Sequence, residues 1–191
     1  MAYCFPRAKI VAIDAGIEGK DNMFGIKLTN HIAEEEGLSV TVEYGFSPED
    51  TKGVISKHFC KNKIDIVFID GLHTNEQLLK DFYGVREFCY QKTIFMFHDV
   101  INWKMERAFH KIEKFLIDYE SLLLYRTTSG MGVSFPQDIS QDIKDVFYLF
   151  TEKKEYIEAL NRLSSIKGKV SSIVGRLLPK LIKSKLKRII R

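Results

Sequence analysis

The chain has 191 residues, of which 45% are hydrophobic and 28% charged, with a formal net charge of +4. This length allows one α/β domain with a modest extension, and the composition is ordinary for a soluble globular protein. No stretch is long and apolar enough to span a bilayer, and the N-terminus lacks the pattern of a signal peptide. The three cysteines, Cys4, Cys60 and Cys89, form no metal-ligand pattern and indicate a reducing, cytoplasmic compartment.

The N-terminal part of the chain alternates apolar runs with amphipathic segments. Three elements are predicted there: a strand over residues 9–13, a helix over residues 21–36 and a strand over residues 38–44. The first strand ends at Asp14. Ser47 and Pro48 then predict the N-cap and the first residue of the next helix.

Two short apolar runs in the middle of the chain each stop at polar residues. Residues 64–69 precede Asp70, and residues 93–97 precede His98 and Asp99. Such runs are typical of buried parallel strands. Apolar residues at spacings of three and four predict a helix between them. A strand-helix-strand unit closes right-handed and sets its two strands parallel, so both strands are expected to end at the same edge of the sheet.

Four chemically active side chains are therefore expected at one edge: Asp70, His73, His98 and Asp99. In open α/β sheets, ligands bind at the carboxyl ends of the strands. Two acids and two imidazoles together predict a metal site, an acid/base site or both. The alternative is that each is a turn or helix-capping residue. Trp103 follows closely and either lines an acceptor pocket or packs in the core.

The element order indicates the fold. The elements from the central helix onward are a helix over 74–90, the strand over 93–97, a helix over 103–119, a strand over 121–127 and a returning strand over 132–135. The last two strands flank a glycine turn and predict a hairpin. We expect a Rossmann-like, doubly wound, mostly parallel α/β sheet with a C-terminal antiparallel hairpin strand at its edge. Residues 1–137 would form this domain and residues 138–191 a helical extension.

The C-terminal end of the chain is basic. Residues 166–191 carry nine basic residues and no acidic one, so the preceding 165 residues have a net charge of −5. Apolar residues from Val170 onward fall at helical spacings. A basic amphipathic helix suits an anionic membrane surface or a partner subunit, and the alternative is packing on its own domain. Nucleic acid is not expected, because aromatic residues are not interleaved with the cations.

The central motifs resemble those of a known family. The segments FIDGLHTNEQLLKDF and FMFHDV resemble class I S-adenosylmethionine-dependent methyltransferases, in the branch that is similar to metal-assisted O-methyltransferases. The resemblance covers residues 9–135. It implies S-adenosylmethionine as cofactor, Mg²⁺ or Mn²⁺ as metal, and a hydroxyl of a sugar, glycan or related small molecule as acceptor.

The resemblance also implies a role for individual residues. The cofactor-binding residues would be Asp14 at the ribose, Gly45, Phe46 and Ser47 beside the adenine, and Asp70. The metal ligands would be Asp70, His98 and Asp99, and His73 would be the general base.

The chain also departs from the family pattern. The family's first strand and glycine-rich loop are not found before Lys9, and Gln91 and Lys92 stand where paired glycines usually precede a later strand. A second interpretation therefore stays open. In it, the chain is a catalytically inactive, truncated methyltransferase-fold protein that serves as a binding or partner subunit.

Overall fold

The structure is a computed structural model that describes residue 2 and residues 5–17, 23–59 and 64–151. The strands are β1 (Ile10–Asp14), β2 (Val40–Tyr44), β3 (Ile64–Ile69), β4 (Cys89–Phe97), β5 (Tyr119–Leu124) and β6 (Met131–Pro136). The helices are α1 (Phe24–Glu35), α2 (Thr51–Phe59), α3 (Asn75–Arg86), α4 (Glu106–Phe115) and α5 (Gln141–Tyr148). The predicted α/β class with alternating strands and helices is confirmed.

The strands form two hydrogen-bonded sheets. β1 and β2 are parallel and form one pair, while the second sheet has the order β3-β4-β6-β5. β3 and β4 are parallel neighbours, as the strand-helix-strand unit predicts. Among the described residues, no backbone ladder joins the two sheets, so β1 and β3 each have one edge without a strand partner.

The antiparallel strand lies inside the sheet, and its predicted position at the edge is wrong. β6 pairs antiparallel with β4 on one side and with β5 on the other. The reason is burial: Val133, Ser134 and Phe135 of β6 are fully buried, which requires neighbours on both sides. The more polar β5 forms the edge.

The core lies between the β3–β4 pair and the helices α3 and α4. Its fully buried side chains include Phe82, Phe95, Phe97, Phe109 and Ile112. α3 begins at the N-cap Thr74, whose side chain accepts a hydrogen bond from the amide of Gln77 at 3.1 Å. This core fixes the carboxyl ends of β3 and β4, where the candidate site lies.

Several element boundaries differ from the predicted ones. α2 begins at Thr51, because residues 47–50 form a turn in which the Asp50 carboxylate accepts a hydrogen bond from the Phe46 amide at 2.8 Å. α3 ends at Arg86, and the chain enters β4 at Cys89, four residues before the predicted strand. α4 is shorter than predicted at both ends.

The first part of the predicted C-terminal extension packs on the domain. Phe147 of α5 stacks on Phe135 of β6, with ring centroids 5.1 Å apart. The predicted basic tail helix lies outside the described residues. Within the residues that are described, none of the helices combines the length and the apolar character needed to cross a membrane.

Candidate active site

The four side chains predicted to meet at the sheet edge do meet. Asp70 follows β3, and His98 and Asp99 follow β4. The His98 amide donates to the Ile69 carbonyl at 2.9 Å, which extends the β3–β4 ladder to the start of the cluster. Asp70, His73, His98 and Asp99 each offer one ligand atom, and these atoms all lie within 4.8 Å of one another. We call these four residues the acid–histidine cluster.

Each imidazole of the acid–histidine cluster faces both carboxylates. Nδ1 of His98 lies 2.9 Å from Oδ1 of Asp70 and 3.4 Å from Oδ2 of Asp99. Nε2 of His73 lies 3.2 Å from the same Asp70 oxygen and 3.4 Å from the same Asp99 oxygen. The two imidazole nitrogens and the two carboxylate oxygens thus converge on one small volume.

The His98 nitrogen that faces this volume is buried and has no hydrogen-bond partner among the described residues. Its 2.9 Å approach to Oδ1 of Asp70 lacks the direction of a hydrogen bond. Buried polar atoms are rarely left unpaired in proteins. A buried imidazole lone pair beside two carboxylate oxygens is a donor set that a divalent cation satisfies. The residues present therefore fit a metal ion.

The backbone around Asp99 fixes the direction of its carboxylate. Asp99 has a positive φ of 56°, a left-handed conformation that is uncommon for residues other than glycine. Its Oδ1 accepts a hydrogen bond from the Asn102 side chain at 3.2 Å, and its carbonyl accepts one from the Trp103 amide at 3.1 Å. Strained backbone of this kind often lies at functional sites. The other carboxylate oxygen faces the imidazoles.

Trp103 forms an exposed wall beside the cluster. Its ring stacks on His73 with centroids 5.3 Å apart and an interplanar angle of 24°, and 59% of the residue is exposed. The exposure contradicts the interpretation of Trp103 as a core residue. The stacked pair leaves a flat aromatic surface next to the carboxylates.

Four of the five residues predicted to bind the cofactor lie at the ends of β1 and β2, and the fifth, Asp70, follows β3 and belongs to the acid–histidine cluster. The Gly45 amide donates to the Asp14 carbonyl at 3.1 Å, so the ends of the two strands are adjacent. The Asp14 carboxylate accepts a hydrogen bond from the Gly16 amide at 2.7 Å, which orients it. Phe46 is 46% exposed, so its ring is available to a ligand.

Two residues of α3 that were not predicted as site residues, Gln77 and Asp81, connect this helix to the loop of residues 45–47. The Gln77 side chain donates to the Ser47 carbonyl at 2.7 Å and to the Asp81 carboxylate at 2.8 Å. Asp81 is only 5% exposed, and burial raises the pKa of its carboxyl although hydrogen bonds from Ser47 and Gln77 act in the opposite direction. The sequence feature that could have indicated Asp81 is its position on the apolar side of a predicted helix, three residues after Leu78 and next to Phe82.

The fold and the acid–histidine cluster are those expected of a methyltransferase-like α/β protein. Residues 8–100 match the family described as methyltransferase domain. This match over residues 8–100 confirms the resemblance to S-adenosylmethionine-dependent methyltransferases at the level of the class.

A solved structure with a TM-score above 0.5 supports the fold. The chain is similar to the apo structure of CalS11, a TDP-rhamnose 3'-O-methyltransferase of calicheamicin biosynthesis, with 14% identity and a TM-score of 0.52 over 72% of this chain and 64% of that one. A methyltransferase from Geobacter sulfurreducens also matches, with 14% identity and a TM-score of 0.41 over 68% of this chain and 58% of that one. The chain therefore spans less than two thirds of the length of either protein. No curated protein sequence matches it.

Proposed function

We propose that this chain is an S-adenosylmethionine-dependent O-methyltransferase that acts on a hydroxyl of a sugar, glycan or related small molecule with the help of a divalent cation. The observation that carries the proposal is the convergence of the acid–histidine cluster at the carboxyl ends of β3 and β4. The methyltransferase-domain match over residues 8–100 supports the class of reaction.

The residues of the cluster have complementary tasks in this proposal. Asp70, His98 and Asp99 would hold Mg²⁺ or Mn²⁺, because carboxylate oxygens suit both ions and an imidazole shifts the preference toward Mn²⁺. A cation held by these residues would supply positive charge that makes the acceptor hydroxyl easier to deprotonate. Asn102 keeps Asp99 in place by its hydrogen bond to Oδ1.

His73 would accept the proton of the acceptor hydroxyl. An imidazole is a suitable general base near neutral pH. Its Nε2 faces the volume that the three proposed ligands also face. Trp103 stacks on the ring and holds it in that direction.

Asp14 and the loop of residues 45–47 would bind the cofactor. S-adenosylmethionine supplies an electrophilic methyl group when bound. Asp14 would accept hydrogen bonds from the ribose, and the exposed ring of Phe46 would lie beside the adenine, with Gly45 and Ser47 on the same side. The adjacency of Asp14 and Gly45 at neighbouring strand ends supports this arrangement.

A sugar acceptor is supported by two observations. The structurally similar CalS11 is a TDP-rhamnose 3'-O-methyltransferase. The exposed Trp103 ring beside the cluster offers a flat apolar surface on which the face of a pyranose ring can stack.

Methyl transfer from labelled S-adenosylmethionine to a panel of nucleoside-diphosphate sugars tests the proposal. We expect transfer that a chelator abolishes and that falls about 10–100-fold or more in Asp70→Asn and Asp99→Asn. Glu113→Gln is the control, because Glu113 contacts His110 at 3.0 Å and lies outside the cluster. Wild-type activity in both aspartate variants would refute the metal-assisted mechanism.

A partner-binding protein without transfer activity is the second candidate. It is favoured by the edges of β1 and β3, which have no strand partner among the described residues. Calorimetry with S-adenosylmethionine separates the two, because micromolar binding supports the enzyme and the absence of heat supports the second candidate. The membrane contact proposed for residues 166–191 is tested by liposome pelleting of the chain with and without this segment, and equal pelleting of the two would refute it.

A further inference from the structure

We propose that Asp81 is a positioning residue that holds the two loops of the candidate site, residues 45–47 and residues 70–73, in a fixed relation to each other. The proposal rests on the proposed function, in which the first loop contacts the cofactor and the second carries a metal ligand and the base. Asp81 itself lies on α3 and belongs to neither loop.

The contact of Asp81 with the first loop runs through Gln77. The Gln77 Nε2 atom has two hydrogens, and it donates to Asp81 Oδ1 at 2.8 Å and to the Ser47 carbonyl at 2.7 Å. An ionised carboxylate only accepts hydrogen bonds, so Asp81 forces the nitrogen of the amide, rather than its oxygen, toward this side. The second hydrogen is then available for Ser47. The Ser47 side chain also hydrogen-bonds to Asp81.

Asp81 also lies close to the second loop, without a hydrogen bond to it among the described residues. Its Oδ2 lies 3.0 Å from the position that a Cβ atom at Gly71 would occupy. The carboxylate therefore fills the space beside Gly71 that a side chain at this position would need, and the glycine makes this approach possible. One carboxylate thus lies between the cofactor side and the metal side of the candidate site.

The face of α3 that carries Asp81 packs closely on the first loop. Gly84 is one helical turn further along, and a Cβ atom there would lie 2.4 Å from Cβ of Pro48. Gln77, Asp81 and Gly84 follow each other at spacings of four and three, so they share one side of the helix. This side is shaped to receive residues 47–48.

The burial of Asp81 costs free energy that the fold alone does not require. A buried carboxylate is unfavourable unless it is hydrogen-bonded, and an apolar side chain next to Leu78 and Phe82 would extend the core. The raised pKa of the carboxyl reflects this burial. The Asp81 carboxylate is unfavourable to bury and lies next to both loops of one site. A role in positioning these loops explains its presence better than a contribution to the stability of the fold.

Hydrogen–deuterium exchange of the ligand-free protein tests the positioning directly. We expect Asp81→Ala to increase exchange about tenfold in peptides that cover residues 45–50 and 71–75, because the loss of a buried hydrogen-bonding group loosens both loops. Asp81→Asn should restore slow exchange, since its oxygen can accept from Gln77 and its amide can donate to the Ser47 hydroxyl. Glu76→Gln is the control on the same helix, with an exposed side chain paired to Lys80.

Enzyme kinetics provide a second measurement. Asp81→Ala should raise KM for S-adenosylmethionine about tenfold and lower kcat less, and Asp81→Asn should recover most of the loss. If Asp81→Ala does not fold, Gln77→Ala removes the same link to Ser47 and should loosen residues 45–50. Unchanged exchange in both loops, or an Asp81→Asn variant as impaired as Asp81→Ala, overturns the proposal.

The two proposals can fail separately. Hydrogen–deuterium exchange is measured without cofactor, so it tests the role of Asp81 even if the wild-type chain transfers no methyl group. If the wild-type chain binds no S-adenosylmethionine, the proposed function is refuted. Faster exchange of both loops in Asp81→Ala would still support the positioning role of Asp81.

Discussion

Substitution of glycine by alanine is expected to change the free energy of unfolding in opposite directions at Gly84 in α3 and at Gly53 in α2. In a helix interior, alanine is favoured over glycine by about 1 kcal/mol. A Cβ atom at Gly53 meets no other atom within 4 Å, whereas one at Gly84 would lie 2.4 Å from Cβ of Pro48. Local propensity therefore favours both substitutions, and tertiary packing opposes one of them.

The magnitude follows from this contact. Carbon atoms in contact stay about 3.5–4.0 Å apart, so Gly84→Ala requires α3 and Pro48 to separate by about 1 Å or more. Overpacking of this kind costs about 1–3 kcal/mol, which exceeds the gain in helix propensity. We expect Gly84→Ala to lower the free energy of unfolding by about 1–2 kcal/mol and Gly53→Ala to raise it by about 0.5 kcal/mol.

Urea unfolding followed by circular dichroism measures both free energies. The opposite sign of the two effects is the result that supports the close packing of α3 on the loop after β2. If Gly84→Ala stabilises the chain as much as Gly53→Ala does, then α3 does not pack on Pro48 as described. The proposed link between the two loops would lose its structural basis.

Three further outcomes are expected. His73→Ala should lower kcat about 10²–10⁴-fold with a smaller change in KM for S-adenosylmethionine, and initial rates showing the reverse pattern would assign His73 to binding. Thr93→Val should lower the free energy of unfolding by about 1–3 kcal/mol, because the buried hydroxyl donates to the Ile64 carbonyl at 2.6 Å and accepts from the Tyr90 amide at 3.1 Å. Urea unfolding measures this change, and an unchanged unfolding midpoint would contradict the prediction. Burial raises the pKa of the Cys89 thiol to about 11. Iodoacetamide should therefore alkylate Cys89 more slowly in the folded than in the unfolded chain, and equal alkylation rates would contradict this. The free energy of unfolding should also fall as the pH rises from about 9 to about 11, because the unfolded chain loses this proton first.

The location of the acid–histidine cluster could be predicted from the sequence because it depends only on the parallel direction of β3 and β4. A right-handed strand-helix-strand unit places Asp70 and His98 at one edge whatever the details of packing. The convergence of individual atoms depends on more. The left-handed backbone of Asp99 and its hydrogen bond from Asn102 set the carboxylate direction, and neither leaves a pattern in the sequence.

The errors have two physical origins, a local side-chain hydrogen bond in one case and contacts between distant parts of the chain in the others. The segment from Ser47 to Asp50 has the residues of a helix start, but the Asp50 carboxylate bonds to the Phe46 amide and shapes a turn instead. The hairpin was predictable from its glycine turn, whereas the insertion of β6 between β4 and β5 depends on burial on both sides. Asp81 interrupts an apolar helix face, and its partners Ser47 and Gly71 become apparent only in three dimensions.

The binding of Mn²⁺ alone to the intact chain, measured by calorimetry, tests the central claim most directly. The convergence of Asp70, His98 and Asp99 predicts one binding site in the wild-type chain, with an affinity that falls about 10–100-fold in Asp70→Asn and in Asp99→Asn and is unchanged in Glu113→Gln. Equal Mn²⁺ affinity in the wild-type chain and in both aspartate variants, or no binding by the wild-type chain, would contradict the metal-assisted account.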